Sequence, residues 1–257
     1  MPSKLTDRTG VIFGVANKRS LAWSCAKALD AQGMRLCLTY ATDRLGDGVR
    51  KLAEELNNPL VLRCDVTDPD EIDSVFVKIG DEFGHLDTVL HGVAFAKREE
   101  LVGDFYHTTK DGYMLAHEVS AYSLTAVSRR ALPLMEGREG TIVTLTYIGS
   151  ERVVRNYNVM GIAKAALEAS VRYLANDIGR HGHRVNAISA GPIRTLSASG
   201  VAGFSKILDH IEEHSPMRRN ITGEEVGNTC LFLCSDMSRG ITGSTIYVDS
   251  GYHIMGV

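Results

Sequence analysis

A tyrosine and a lysine in the second half of the chain have a spacing that suits carbonyl chemistry. Tyr157 and Lys164 are seven positions apart, beside a segment whose periodicity predicts a helix from Val159 to Ile178. At ~100° per residue, seven steps end about 20° short of two turns, so both side chains would leave one helix face about 10 Å apart. The phenol could then reach a substrate carbonyl and the ammonium group a nucleotide ribose. The alternative is that Tyr157 packs in the core and Lys164 is solvated.

A second tyrosine is expected to face the same space. The apolar run from Thr141 to Tyr147 predicts a strand, which places Tyr147 at its carboxyl end. In open α/β sheets, ligands bind in the crevice beyond the carboxyl ends of the strands. Tyr147 is therefore a third candidate for this site.

The elements that must position these side chains alternate regularly along the chain. Strands are predicted at 11–13, 34–40, 60–64, 88–93, 141–147, 184–189 and 244–248, and helices at 20–32, 44–56, 71–83, 112–135, 159–178, 205–214 and 224–235. Such alternation favours a parallel sheet covered on both faces, with right-handed crossovers. We therefore expect one α/β domain over residues 1–257, a Rossmann fold with a doubly wound, seven-stranded parallel sheet.

A less regular stretch follows the sixth predicted strand. Residues 193–204 are rich in Ser, Ala and Gly and lead into the helix predicted at 205–214. Because this stretch begins at the carboxyl end of a strand, it would lie over a bound ligand. We expect residues 193–214 to form a substrate-binding lid.

The turn after the first strand suits a diphosphate, although it lacks the usual G-x-G-x-x-G pattern. Gly14 allows the backbone to turn close to a ligand, and Ser20 is expected to cap the next helix, whose free N–H groups attract anions. The alternative is an ordinary strand-to-helix turn.

Three further positions bear on nucleotide binding. Asp65, at the end of the third strand, could accept a hydrogen bond from an adenine amino group, or could cap the following helix. Ala94 is small enough for close backbone approach. The usual ribose-binding acid is absent near Ala41, and Asp43 or Arg44 could act in its place, with opposite implications for NADH and NADPH. The absence of two adjacent basic residues favours NADH.

Composition excludes several other classes of function. A formal net charge of −3 gives no reason to expect a nucleic-acid partner, and no apolar run approaches the ~20 residues that span a bilayer. The first residues lack a signal-peptide core, which favours a cytoplasmic protein.

Five scattered cysteines argue against a disulfide framework. We expect no metal site, and a solvated turn at His181-Gly182-His183.

Five segments carry a resemblance that spans the chain: Gly14–Trp23, Cys64–Val66, Tyr157–Lys164, Ala190–Leu196 and Val248–Gly251. On these the chain resembles the bacterial enoyl-[acyl-carrier-protein] reductases of the short-chain dehydrogenase/reductase superfamily. Ordinary members of the superfamily have three residues between the tyrosine and the lysine. The six found here, together with Tyr147, match the enoyl reductases.

The resemblance implies reduction of the trans-2 double bond of enoyl thioesters by NADH, with NADPH possible, as the last step of type II fatty-acid elongation. It implies that Tyr157 stabilises the thioester oxygen and that Lys164 binds the nicotinamide ribose and favours ionisation of Tyr157. Tyr147 would line the acyl site. The implied cofactor contacts are Gly14, Ser20, Leu21, Asp65, Val66, Ala94, Lys164, Ile193 and Thr195, and the implied substrate pocket is Ala96, Tyr147, Tyr157, Met160 and Phe204.

The implied partners are acyl carrier protein and three further copies of the chain, in a homotetramer formed through the long helices after strands four and five. The basic residues that often dock the carrier are reduced here to Lys206. Two other functions compete: a ketone/alcohol oxidoreductase and a non-catalytic dinucleotide sensor. Tyr147 and the six residues between Tyr157 and Lys164 argue against the oxidoreductase. The presence of Tyr157, Lys164 and Thr195 together argues against the sensor.

Overall fold

The expected parallel sheet is present. The computed structural model describes residues 5–195 and 204–256. Seven strands form one sheet in the order β3-β2-β1-β4-β5-β6-β7, and every neighbouring pair is parallel. The strands are β1 (Thr9–Phe13), β2 (Arg35–Tyr40), β3 (Leu60–Arg63), β4 (Thr88–His91), β5 (Thr141–Thr146), β6 (Arg184–Ala190) and β7 (Thr245–Val248). The strand order reverses between β1 and β4, and this is the switch point where doubly wound folds bind ligands.

Helices cover both faces of this sheet. They are α1 (Leu21–Asp30), α2 (Asp43–Ala53), α3 (Pro69–Phe83), α4 (Lys110–His117), α5 (Ser123–Met135), α6 (Asn158–Gly179), α7 (Phe204–His214) and α8 (Gly223–Cys234). Successive side chains of β1 point to opposite faces of the sheet, and each face has its own hydrophobic core. Ile12 packs with residues of α1, α2 and α8 on one face, whereas Val11 and Phe13 pack with α3, α5 and α6 on the other. The predicted fold class is therefore confirmed.

One helical prediction needs correction. The periodicity predicts a single helix over 112–135, but the structure has α4 and α5 joined by a π-helical turn at Glu118–Tyr122. Ser123 donates its hydroxyl to the carbonyl of Val119 at 2.6 Å, and Ser120 accepts from the N–H of Phe95 at 3.0 Å. Side-chain bonds of this kind compete with the helical ladder, and π turns are frequent beside functional sites.

The cysteines behave as core residues. All five are buried and free, and burial raises the pKa of Cys37 and of Cys64 to about 12. Among the described residues, no helix is long and apolar enough to cross a membrane.

Candidate active site

Two glycines bring the carboxyl ends of β1 and β4 together. Gly14 has φ +95°, and a Cβ there would lie 2.1 Å from the carbonyl oxygen of Gly92. A Cβ on Gly92 would lie 2.7 Å from the carbonyl oxygen of Phe13. The backbone at the switch point is thus open to a ligand, and a side chain at either position would force β1 and β4 apart. Gly92 was missed from the sequence, because the predicted fourth strand ran through it to residue 93, whereas β4 ends at His91.

Ser20 does not cap α1 with its side chain, which corrects the expectation from the sequence. Its hydroxyl accepts instead from the N–H groups of Ala16 and Asn17, both at 3.1 Å. Ser20 therefore shapes the turn from inside. The first N–H groups of α1 gain no acceptor from Ser20, and such groups at a helix start bind anions. Leu21, the first residue of α1, is half-buried against the adjoining core.

Asp65 is held in a local turn after β3. Its Oδ1 accepts from the N–H of Thr67 at 3.0 Å and from the hydroxyl of Thr67 at 2.8 Å. The capping residue of α3 is Asp68, so the alternative role of Asp65 as that cap is wrong. Within residues 5–195 and 204–256 its Oδ2 has no hydrogen-bond donor, and Val66 beside it is buried. The carboxylate therefore keeps an acceptor for a ligand.

The two tyrosines are brought together. The ring centroids of Tyr147 and Tyr157 lie 5.1 Å apart at 74°, an edge-to-face contact. Tyr157 stands just before α6 rather than within it, between Asn156 (φ +60°) and Asn158 (φ +29°). The regular helical geometry used to relate Tyr157 to Lys164 therefore does not hold at the tyrosine.

Small residues leave the space that the Tyr157 ring fills. A Cβ on Gly149 would lie 2.6 Å from Cδ1 of Tyr157. A Cβ on Gly161, in the first turns of α6, would lie 2.7 Å from the carbonyl oxygen of Gly149. These two glycines let the turn after β5 pack on α6, with the phenol ring between Tyr147 and the helix.

Lys164 is buried rather than solvated, since only 5% of its surface is exposed. Its Nζ donates to the carbonyl oxygen of Leu145 at 2.7 Å. Burial lowers the pKa of Lys164 to about 8, and the carboxylate of Glu168 opposes that shift. One of its three N–H donors is used in this way, so an ammonium group here retains donors for a ligand.

Two sets of buried, hydrogen-bonded polar side chains lie near Lys164. Glu168, one helical turn further along α6, accepts from the hydroxyl of Thr146 at 2.6 Å. On β4, Nδ1 of His91 lies 2.9 Å from Oγ1 of Thr144, and Nε2 lies 2.8 Å from Oγ of Ser123. Burial, aided by the charge of Lys164, lowers the pKa of His91 to about 3, so the imidazole is neutral.

The phenols are neutral donors. Burial raises the pKa of Tyr147 to about 12, and burial together with the neighbouring Tyr147 raises that of Tyr157 well above its ordinary value. Burial thus opposes the ionisation of Tyr157 that the resemblance implies, because it favours the neutral phenol.

The predicted pocket residues divide between two groups. Ala94, Ala96 and Tyr157 pack against a small apolar cluster that contains Met160. Tyr147 lines a cavity of about 380 Å³ together with Val153, Val154, Arg155, Lys206, Ile207, His210, Ile211 and Tyr252. The contact between the two tyrosines joins these groups. The α7 residues fall within the predicted lid, whereas Tyr252 was missed, because nothing in its local pattern relates it to Tyr147.

Other predicted residues lie less centrally. Phe204 is half-buried at the start of α7 and is not among the residues lining the cavity. Ile193 packs on the core beneath α1 and α8, and the N–H of Thr195 donates to the carbonyl of Ile193 at 2.7 Å. Residues 196–203 of the predicted lid lie outside the described residues.

No group of three or more possible metal ligands occurs in the described part of the chain. His183 is buried, and its Nδ1 accepts from the N–H of Gly140 at 3.2 Å. The expectation of a solvated turn is thus wrong at His183, whose imidazole serves as a structural acceptor.

Comparisons with known proteins agree with this geometry. A sequence profile described as "Enoyl-(Acyl carrier protein) reductase" matches residues 14–253. The chain is 57% identical to the NADH-dependent enoyl-[acyl-carrier-protein] reductase FabI of Bacillus cereus, over 98% of this chain and 99% of that protein. It is 51% identical to the NADPH-dependent FabI of Staphylococcus aureus, over 97% and 98%.

Solved structures are equally similar. The Bacillus cereus reductase in complex with NADP⁺ and an indole naphthyridinone superposes with a TM-score of 0.97 at 56% identity, covering 99% of each chain. The Anaplasma phagocytophilum reductase with NAD gives 0.95 at 47% identity, covering 100% of this chain and 98% of that one. With a profile match across nearly the whole sequence and relatives above half identity, the chain belongs to the enoyl-(acyl carrier protein) reductase family.

Proposed function

We propose that this protein reduces the trans-2 double bond of enoyl thioesters carried on acyl carrier protein, with NADH as the reductant. The observation that carries the proposal is the convergence of three side chains on the carboxyl end of β5: Tyr157 contacts the ring of Tyr147, which follows that strand, and the buried Lys164 donates to Leu145 within it. The names of the relatives support the same reaction. It is the last reduction of the fatty-acid elongation cycle.

The switch-point backbone suits a dinucleotide. Gly14 and Gly92 leave no side chain between β1 and β4, and Asp65 keeps a free acceptor oxygen beyond β3. Gly14, Ser20 and Leu21 would hold the diphosphate, Asp65 and Val66 the adenine, and Ala94, Ile193 and Thr195 the nicotinamide side. When bound, the nicotinamide would supply a hydride to C3 of the enoyl chain, and addition of a proton at C2 then gives the saturated thioester.

Tyr157 stabilises the charge that this addition creates. Electron density moves to the thioester oxygen, and a neutral phenol aimed at that oxygen binds it more strongly in the transition state than in the ground state. The raised pKa of Tyr157 keeps the phenol protonated and therefore able to donate. Tyr147, through its edge-to-face contact, orients the ring and lines the acyl site with Ala96, Met160 and Phe204.

Lys164 positions the ribose of the nicotinamide half. The carbonyl of Leu145 fixes its Nζ, and its remaining donors are available to the ribose hydroxyls. The buried carboxylate of Glu168 favours the charged ammonium form, so one turn of α6 carries both the donor and the group that keeps it protonated.

A ketone reductase on the same fold is the competing function. Crotonyl and acetoacetyl thioesters, assayed side by side with NADH, separate the two reactions. We expect NADH oxidation with the crotonyl thioester and little with the acetoacetyl thioester. Oxidation with the ketone alone would overturn the proposal.

The proposal extends to assembly and location. We propose one domain over residues 1–257, a lid at 193–214, and a homotetramer built on α4 to α6, which present the exposed apolar side chains Tyr113, Met114, Tyr122, Ile162 and Tyr173. Carrier docking would use Lys206, at the rim of the cavity beside Tyr147. Five free, buried thiols fit the reducing cytoplasm.

A further inference from the structure

Arg63 forms ion pairs with two carboxylates where β2 and β3 end. In the parallel register, Arg63 pairs with Tyr40, the last residue of β2. Its guanidinium forms an ion pair and hydrogen bond with Glu71 at the start of α3, and its Nε lies 3.4 Å from Oδ1 of Asp43 at the start of α2. We refer to Asp43, Arg63 and Glu71 as the ribose-corner network.

The position of this network relates it to dinucleotide choice. In Rossmann folds the end of the second strand is where the adenosine ribose is recognised, by an acid for the 2′-hydroxyl of NAD or by an arginine for the 2′-phosphate of NADP. The usual acid near Ala41 is absent here. Arg63, whose Cα partner is Tyr40, is a second guanidinium at this corner, beside Arg44 in the first turn of α2.

Both carboxylates bind this guanidinium, so two negative charges lie beside its one positive charge. Glu71 is itself fixed, because its Oε2 accepts from the N–H of Asp65 at 2.7 Å, while its Oε1 contacts Arg63. Charge-assisted bonds of this type hold guanidinium donors in place. A nearby cation, Arg50, is also engaged, since it donates to the hydroxyl of Tyr40 at 2.8 Å and pairs with Asp47.

We infer that Asp43 and Glu71 withhold Arg63 from a 2′-phosphate, and that the ribose-corner network thereby makes this enzyme select NADH over NADPH. Binding of NADPH would have to break the pair between Arg63 and Glu71 and would place a phosphate beside two carboxylates. NADH has a neutral 2′-hydroxyl, so its binding neither breaks this pair nor places a negative charge beside the carboxylates. The inference rests on the proposed function only for its use of a dinucleotide.

The test is calorimetric titration of NADH and NADPH into the full-length protein without acyl substrate. Glu71→Gln keeps an acceptor for the N–H of Asp65 but removes the charge that holds Arg63. Because a charge-assisted contact to the phosphate would be gained, we expect the dissociation constant of NADPH to fall about tenfold while that of NADH changes little. Adding Arg63→Met to Glu71→Gln should remove the gain.

Asp47→Asn provides the matched control, because Asp47 lies on α2 near this corner but pairs with Arg50 outside the network. An equal gain in NADPH binding in Asp47→Asn would show a general charge effect and overturn the inference. So would an unchanged NADPH affinity in Glu71→Gln, a gain that survives Arg63→Met, or a wild-type protein that already prefers NADPH. Since no acyl substrate is present, these results are independent of whether enoyl thioesters are reduced.

Discussion

Residue types and spacing selected the candidate side chains of the site but not the bonds that hold them. Tyr147, Tyr157 and Lys164 could be selected because few side chains can donate to a carbonyl oxygen or a ribose. Ser20 was misjudged, since its hydroxyl could reach either the helix N–H groups or the turn behind it, and the backbone path decides. Glu168 was missed, although a carboxylate four positions after Lys164 shares its helix face.

The lowered pKa of Lys164 has a consequence for activity. In the proposed function the ammonium form binds the ribose, and this form is lost as the pH rises through about 8. We therefore expect kcat/KM to be full below this pH and to fall above it. Lys164→Arg, if it still binds NADH, should lack this alkaline limb because a guanidinium stays charged.

Glu168 should set the pH at which kcat/KM falls on the alkaline side. Glu168→Gln removes the carboxylate that favours the charged lysine, so the alkaline limb should move to lower pH by about one unit. Glu139→Gln, at an exposed carboxylate paired with Arg239, should leave the profile unchanged. An unshifted profile in Glu168→Gln would mean that Glu168 only packs against Thr146.

At the scale of elements, hydrophobic periodicity located all seven strands to within a few residues at most ends. It predicted seven helices where the structure has eight, because α4 and α5 were predicted as one. It could not show the π turn between α4 and α5, because Ser120 and Ser123 leave the apolar pattern intact while their hydroxyls bond elsewhere. Nor could it show that Tyr157 precedes α6, since two asparagines with positive φ bend the chain there.

The turn after β5 should control the position of Tyr157. Gly149→Ala places a methyl group 2.6 Å from the ring, which must move. Because small displacements of a catalytic group are costly, kcat should fall about 10²-fold with NADH affinity little changed. Gly179→Ala, at the end of α6 where a Cβ meets nothing within 4 Å, is the control and should keep full activity. Equal activity in the two variants would show that the ring tolerates the shift.

For the whole molecule, the fold class followed from strand and helix alternation, whereas assembly could not be read from one chain's periodicity. Exposed apolar residues on α4 to α6 mark the proposed contact face. We expect sedimentation equilibrium to give about four times the 28.0 kDa of one chain. Met114→Asp combined with Ile162→Asp should lower that mass, because charges would be buried in the contact.

Val77→Asp tests whether any exposed apolar position has the same effect. Val77 is 65% exposed on α3, which is not one of the helices of the proposed face, and the assembly should survive its substitution. Loss of the assembly in this variant, or its persistence in the double variant, would place the contact elsewhere.

The central claim is that the Tyr157 phenol stabilises the developing charge on an enoyl thioester. The most direct test is the single-turnover rate of NADH oxidation with a medium-chain enoyl thioester in the wild type and in Tyr157→Phe, beside the NADH dissociation constant of each. We predict a loss of about 10²–10³ in the rate with nearly the same dissociation constant. An equal loss in both quantities, or an undiminished rate, would contradict the account.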